Sequence, residues 1–125
     1  MEILATAIIP ATSPSDVVML PRHAVLRSQT QARGTDAGVA IARVNKPVLT
    51  AWLRDAINHL LVGTPLDQPR PDGLLLEQGA FQAEGTQVVA TDWYGRGQRL
   101  VIARSDDPDA AHHLAARLQA LLDPR

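Results

Sequence analysis

Apolar residues recur at helical spacing in two stretches of the chain, and each stretch begins at a proline. The first starts at Pro47 and runs to Gly63, and the second starts at Pro108. Proline is favoured at the first helical position, where its missing N–H is not needed, and glycine often ends a helix. The pattern therefore predicts two amphipathic helices. Their apolar stripes include Leu53, Ile57, Leu60 and Leu61 in the first and Leu114, Leu118, Leu121 and Leu122 in the second.

Shorter apolar runs, separated by residues that favour turns, predict strands. These runs cover residues 3–9, 17–20, 24–31, 39–44, 74–76, 80–83, 87–94 and 99–105. Turns that contain glycine join 24–31 to 39–44 and 87–94 to 99–105, so each pair is expected to form a hairpin. Strands followed by a helix, twice over, predict an α+β fold: a mainly antiparallel sheet with two helices packed on one face.

The end of the second strand of each expected hairpin carries a related motif. Residues 41–47 read IARVNKP, and residues 102–108, 61 positions later, read IARSDDP. The two helical stripes fall at the same offset. Such a repeat is typical of one supersecondary unit used twice, each copy covering the apolar face of the other. We therefore expect one domain over residues 1–125, built by an internal strand-strand-helix duplication with halves of about 12–63 and 74–123 and a connector at 64–73.

Composition narrows the function classes. The 125 residues include no cysteine, which excludes thiolate chemistry, and a net charge of −1 gives no general attraction to nucleic acid or anionic membrane. Eleven of the twelve basic residues are arginine, a usage typical of a GC-rich bacterial genome. The apolar run at 3–9 follows Glu2 and is ended by Pro10, so it fits a strand better than a signal peptide or a membrane span. We expect a cytoplasmic protein without a membrane segment.

The turn of the second expected hairpin concentrates the residue types that dominate protein interfaces. Trp93 and Tyr94 lie side by side, followed by Arg96 and Arg99, in a chain with only 3% aromatic residues. Aromatic rings bury a large area at low entropic cost, and arginine offers planar donors, so these residues are predicted to bind a partner. In the alternative, Trp93 packs in the core and the arginines are solvated. Alternation along the strand sends the two rings to opposite faces.

The start of the first helix is a second candidate site. Arg43, Asn45 and Lys46 precede Pro47 without an acidic residue. The start of the second helix instead has three acids that can cap its free N–H groups: Asp106, Asp107 and Asp109. A helix N-terminus beside cations suits a phosphate or carboxylate, although Asn45 or water capping explains the same residues. The alternative function that follows is a phosphate- or nucleic-acid-binding domain. Its residues would be Arg33, Arg43, Lys46 and Arg96.

No catalytic motif is present. His112 and His113 are adjacent on a helix and off its apolar stripe, which is not the i, i+4 spacing of a zinc site. The serines lack the flanking glycines of a nucleophile elbow, and the glycines are too sparse for a phosphate loop. An enzyme with a site between the repeats would have to use His59 or His23 with Asp55 or Asp92.

These observations favour a small cytoplasmic, non-enzymatic module that binds another protein, as an adaptor, a chaperone-like protein or an assembly subunit. We expect no cofactor and no metal, a protein partner rather than nucleic acid, and self-association, because a duplicated unit resembles a fused dimer.

Overall fold

The computed structural model describes residues 1–10, 16–21, 38–93 and 99–123 of the chain. In this part the protein is an α+β fold with two helices and antiparallel sheets. The elements are, in chain order, β1 (Glu2–Ile3), β2 (Val17–Pro21), β3 (Gly38–Val44), α1 (Pro47–Val62), β4 (Leu76–Gln78), β5 (Ala80–Glu84), β6 (Gln87–Thr91), β7 (Arg99–Arg104) and α2 (Pro108–Leu122).

Both helices begin at the predicted prolines, which confirms the helix predictions. Helix α1 ends at Gly63, whose φ of 80° lies in the left-handed region that glycine adopts without steric cost. Helix α2 is capped by Asp107, whose carboxylate accepts a hydrogen bond of 2.9 Å from the N–H of Asp109. The N-cap residue of α1 is Lys46, whose side chain makes no capping hydrogen bond.

The described strands form two antiparallel sheets rather than one. The first has the order β1-β7-β6-β5, and the second has the order β2-β3-β4. Strands β6 and β7 pair directly, as the second expected hairpin requires. Strand β3 pairs with β2 and β4, so the expected hairpin between 24–31 and 39–44 is not what holds β3 in its sheet. Residues 24–31 lie outside the described part of the chain.

The β2–β3 and β6–β7 pairs have matching registers. Val17 lies opposite Arg43 in the first pair, and Gln87 lies opposite Arg104 in the second. Each pair has one irregularity, at Val18/Met19 and at Val88/Val89, in the same place relative to the start of the strand. The extra residue at such a bulge raises the local twist, so the two pairs bend alike.

Two segments of chain connect the sheets. Gly79 separates β4, which pairs with β3, from β5, which pairs with β6. The N–H of Gly79 donates to the carbonyl of Ile41 at 2.8 Å, and a Cβ here would lie well inside van der Waals contact of the Thr91 carbonyl oxygen. The close approach therefore requires glycine. On the other side, β1 pairs with β7, while Ile8 exchanges two backbone hydrogen bonds with Met19 of β2.

The core lies between these sheets and the helices. Helix α1 packs on β2 and β3, helix α2 packs on β5 and β6, and the helices contact each other. Most of each predicted stripe is buried, because the transfer of aliphatic side chains from water stabilises the packed state, while Leu60 and Leu121 are half-buried at its edge. The largest fully buried side chains include Leu20, Ile41, Leu53, Ile57, Ile102, Leu118 and Leu122.

Candidate interaction surface

Two of the four residues predicted to bind a partner at the second hairpin turn, Trp93 and Arg99, lie in the described part of the chain. Trp93 is half-buried, and its backbone N–H donates to the carbonyl of Ala40 on β3 at 3.1 Å. Arg99 is exposed at the start of β7, and its guanidinium pairs with the carboxylate of Glu84. Tyr94 and Arg96 lie outside the described residues. The use of this turn for binding therefore stays a prediction.

The structure brings acidic groups to the candidate anion site. Arg43 Nε lies 3.2 Å from Asp16 Oδ2, and Arg43 Nη1 lies 3.9 Å from Glu77 Oε2. Lys46 is the N-cap residue of α1, and its own side chain does not cap the helix. Two carboxylates beside the guanidinium neutralise the charge that was expected to attract an anion. Arg33 and Arg96, the other residues of this hypothesis, lie outside the described part.

Asn45 has a different partner from the one that the sequence suggested. Its amide nitrogen donates to the carbonyl of Gly73 at 2.9 Å, and its amide oxygen accepts from the N–H of Leu75 at 3.0 Å. The backbone N–H of Asn45 also donates to the carbonyl of Leu75 at 3.1 Å. Asn45 therefore fixes the end of the connector beside β4 and does not cap the helix.

Among the described residues, the histidine–carboxylate pairs of the enzyme hypothesis do not form. His59 Nδ1 lies 2.8 Å from Thr64 Oγ1, and Asp55 accepts from the neighbouring Arg54. Asp92 is buried at the end of β6, and His23 lies outside the described residues. His112 and His113 are exposed on α2, and no three described His, Cys, Asp or Glu side chains are grouped to hold a metal.

The clearest surface feature is a groove beside β4 that the sequence did not point to. It has a volume of about 820 Å³ and lies where the connector reaches β4 near the end of α2; we call it the β4 groove. Its lining residues are Arg70, Pro71, Asp72, Gly73, Leu74, Leu75, Leu76, Gln78 and Leu122. Arg70 helps to form it, because its guanidinium donates to the carbonyl of Leu121 at the end of α2.

Leu75 stands on the rim of the β4 groove. It is 68% exposed, whereas Leu74 beside it is 6% exposed. A second depression, of about 410 Å³, lies on the other side of Leu75 and is bordered by Asp16, Arg43 and Glu77. A signal for this surface was present in the leucines at 74–76, because adjacent side chains of an extended chain point to opposite sides and so separate Leu75 from Leu74 and Leu76.

Comparisons with protein-family models, with curated proteins and with solved structures gave no match to this chain. None of the helices in the described part is long and apolar enough to cross a membrane.

Proposed function

We propose that the protein is a small, non-enzymatic module that binds another protein, and that the surface around Leu75 is its binding site. The exposure of Leu75 carries the proposal. Leu75 is two-thirds exposed on the rim of a groove, so it has few contacts to give up when a partner binds. Burial of its apolar side chain against the partner would stabilise the complex. The amide of Asn45 holds the backbone of Leu75 in place, so little ordering entropy is lost when a partner binds.

The same proposal includes an internal duplication. The matching registers of β2–β3 and β6–β7, with bulges at equivalent places, support it. So does the pairing of the outer strands: the carbonyl of Ile41 accepts from Gly79, and the carbonyl of Ile102, 61 positions later, accepts from Leu4. Two copies related in this way would form one domain over residues 1–125, with halves near 12–63 and 74–123.

The β4 groove breaks this proposed symmetry. Residues 70–73 at the end of the connector line it together with the leucines that follow, and the connector joins the first copy to the second. A site made from such a connector belongs to the duplicated chain as a whole and not to either copy.

Capture from a lysate of the source cells tests the function, with captured proteins identified by mass spectrometry. Leu75→Ser removes the exposed side chain, and Val62→Ser, at a position 59% exposed at the end of α1, is the matched control. We expect a protein that is retained by the wild type and by Val62→Ser and is lost by Leu75→Ser. Capture of no protein by any of these folded variants would contradict the proposal.

The predicted turn can be tested in the same experiment with a Trp93→Ala, Arg96→Ala double variant. Loss of the partner in that variant alone would move the binding site to the turn. Nucleic acid that is retained at low salt and released at high salt would instead support the phosphate- or nucleic-acid-binding alternative. Light scattering of the purified protein tests the expected self-association, and fractionation of source cells tests the expected cytoplasmic location.

A further inference from the structure

We propose that the partner binds as an extended segment that adds a strand to the open edge of β4, with a basic side chain beside Glu77 and an apolar side chain in the β4 groove. This inference rests on the proposed function and specifies the mode of binding and the chemistry of the partner. Addition of a strand to a sheet edge is a common way of peptide recognition, because the backbone groups of the edge are already aligned.

The hydrogen bonds of β4 show which of its edges is open. The N–H of Gly79 and the carbonyl of Leu75 both point to β3, where they bond to Ile41 and Asn45. Because peptide groups alternate along a strand, those of Leu76 and Gln78 point away from β3. Among the described residues, the backbones of Leu76 and Gln78 have no hydrogen-bond partner on that side.

Side chains from the helices cover the edge of β5 and the extended segment before the Ile8–Met19 bridge. Gln119 of α2 accepts a hydrogen bond from the N–H of Phe81 on β5 at 2.7 Å. Asn58 of α1 bonds to both the N–H and the carbonyl of Ala7. No such amide reaches the open edge of β4 from the described residues. The groove beside this edge leaves room for a further strand.

Charge favours a basic residue in the partner. Glu77 is the charged residue of β4, its side chain is 62% exposed, and its nearest arginine nitrogen is 3.9 Å away because Arg43 lies closer to Asp16. Opposite charges on directly paired residues of neighbouring strands attract, and like charges repel. A second copy of the chain that paired antiparallel through this edge, centred on Glu77, would place two glutamates opposite each other. In this register, charge therefore favours a different, cationic segment over a second copy of the chain.

The register of the added strand sets the order of its side chains. In an antiparallel arrangement, the residue after the basic one lies opposite Leu76, and the next lies opposite Leu75. Residues paired with Leu76 share its face and point toward the β4 groove, near Leu74 and Leu122. The neighbour of Leu75 covers its exposed side chain. The segment is thus expected to read basic–apolar–apolar.

Titration of a synthetic hexapeptide tests the inference. The probe is acetyl-Thr-Val-Lys-Val-Leu-Thr-amide, whose lysine would lie opposite Glu77, followed by amide chemical-shift mapping on the labelled protein. We expect shifts concentrated at residues 74–78. Methylation of the backbone nitrogen of the second valine removes one hydrogen bond to the edge and is expected to weaken binding about fivefold or more.

A charge exchange provides the matched control. Lysine to glutamate in the peptide is expected to weaken binding to the wild type about fivefold, and Glu77→Lys in the protein is expected to restore it. Equal binding of the methylated peptide, shifts away from β4, or no binding up to about 5 mM would overturn the inference. The proposed function would survive such a failure if the lysate partner still depended on Leu75, so the two failures can be told apart.

Discussion

Replacement of Gly79 by alanine is expected to destabilise the protein more than the same replacement of Gly85, the other glycine between β4 and β6. A Cβ at Gly79 would overlap the Thr91 carbonyl oxygen, and it would lie 2.9 Å from the carbonyl carbon of Asp92. Both are backbone atoms, so no side chain can rotate to make room. Thr91 pairs with Ala80 on one side and with Arg99 on the other, and its displacement would strain both pairs.

The size of the effect follows from two opposing terms. Overpacking of a dense interior costs about 1–3 kcal/mol, and we expect the upper end because the backbone itself must move. The reduced freedom of the unfolded chain offsets about 0.4–1 kcal/mol. The net loss is about 2 kcal/mol. For a domain of this size, this lowers the melting temperature by about 6–12 °C.

Thermal and urea unfolding of Gly79→Ala, followed by circular dichroism, measures this loss. Gly85→Ala is the control, because Gly85 has a φ of 62° but no atom within 4 Å of a built Cβ. Its cost is limited to the left-handed backbone, about 1 kcal/mol. If Gly79→Ala melts at the temperature of the wild type, or no lower than Gly85→Ala, then Gly79 does not lie as close to the backbone of Thr91 as described.

Three further predictions concern polar groups. Thr50 is fully buried and its hydroxyl has no partner among the described residues, so Thr50→Val is expected to raise the free energy of unfolding by about 1 kcal/mol in urea titrations. Lys46→Asp supplies α1 with the cap that Asp107 gives α2. It is expected to raise the free energy of unfolding by about 1 kcal/mol, and with it the melting temperature. Asn58→Ala leaves the N–H and carbonyl of Ala7 without their partner. It is expected to lower the free energy of unfolding in urea by about 2 kcal/mol and to reduce the hydrogen-exchange protection of the Ala7 amide.

Each of these results has an outcome that would contradict it. A Thr50→Val protein less stable than the wild type would mean that the hydroxyl has a partner in the rest of the chain. No gain for Lys46→Asp would mean that the helix start is already satisfied. Unchanged exchange at Ala7 in Asn58→Ala would mean that the amide does not protect that edge.

The helices were predictable from the sequence because their determinants are local. A proline at the first position, a stripe of leucines and a terminal glycine lie within one segment, and Pro47 and Gly63 needed no information from elsewhere. The β6–β7 pairing was predictable for the same reason, since only a short stretch of sequence separates the two strands. The partners of β3 were not, because β2 and β4 reach it from different parts of the chain.

The candidate sites were less predictable because their chemistry depends on long-range neighbours. Arg43 looked like a free cation, yet Asp16 and Glu77 approach it from 27 and 34 positions away. Asn45 looked like a helix cap, yet it bonds to the backbones of Gly73 and Leu75, 28 and 30 positions later. Local sequence gives a residue's chemical type but not the distant group that satisfies it.

The pairing of β1 with β7 bears on how the chain folds as it is synthesised. Glu2 of β1 forms an ion pair with Arg104 of β7, which lies 102 positions later, so during synthesis β1 must wait until β7 has been made. At about 5–20 residues per second, the wait is about 5–20 s. During that time β1 has no sheet to join, and β2 and β3 form a sheet whose neighbour is still being made. A nascent chain of this topology can complete the β1–β7 pair only after β7 has been made, and until then its unpaired strands depend on whatever shields them.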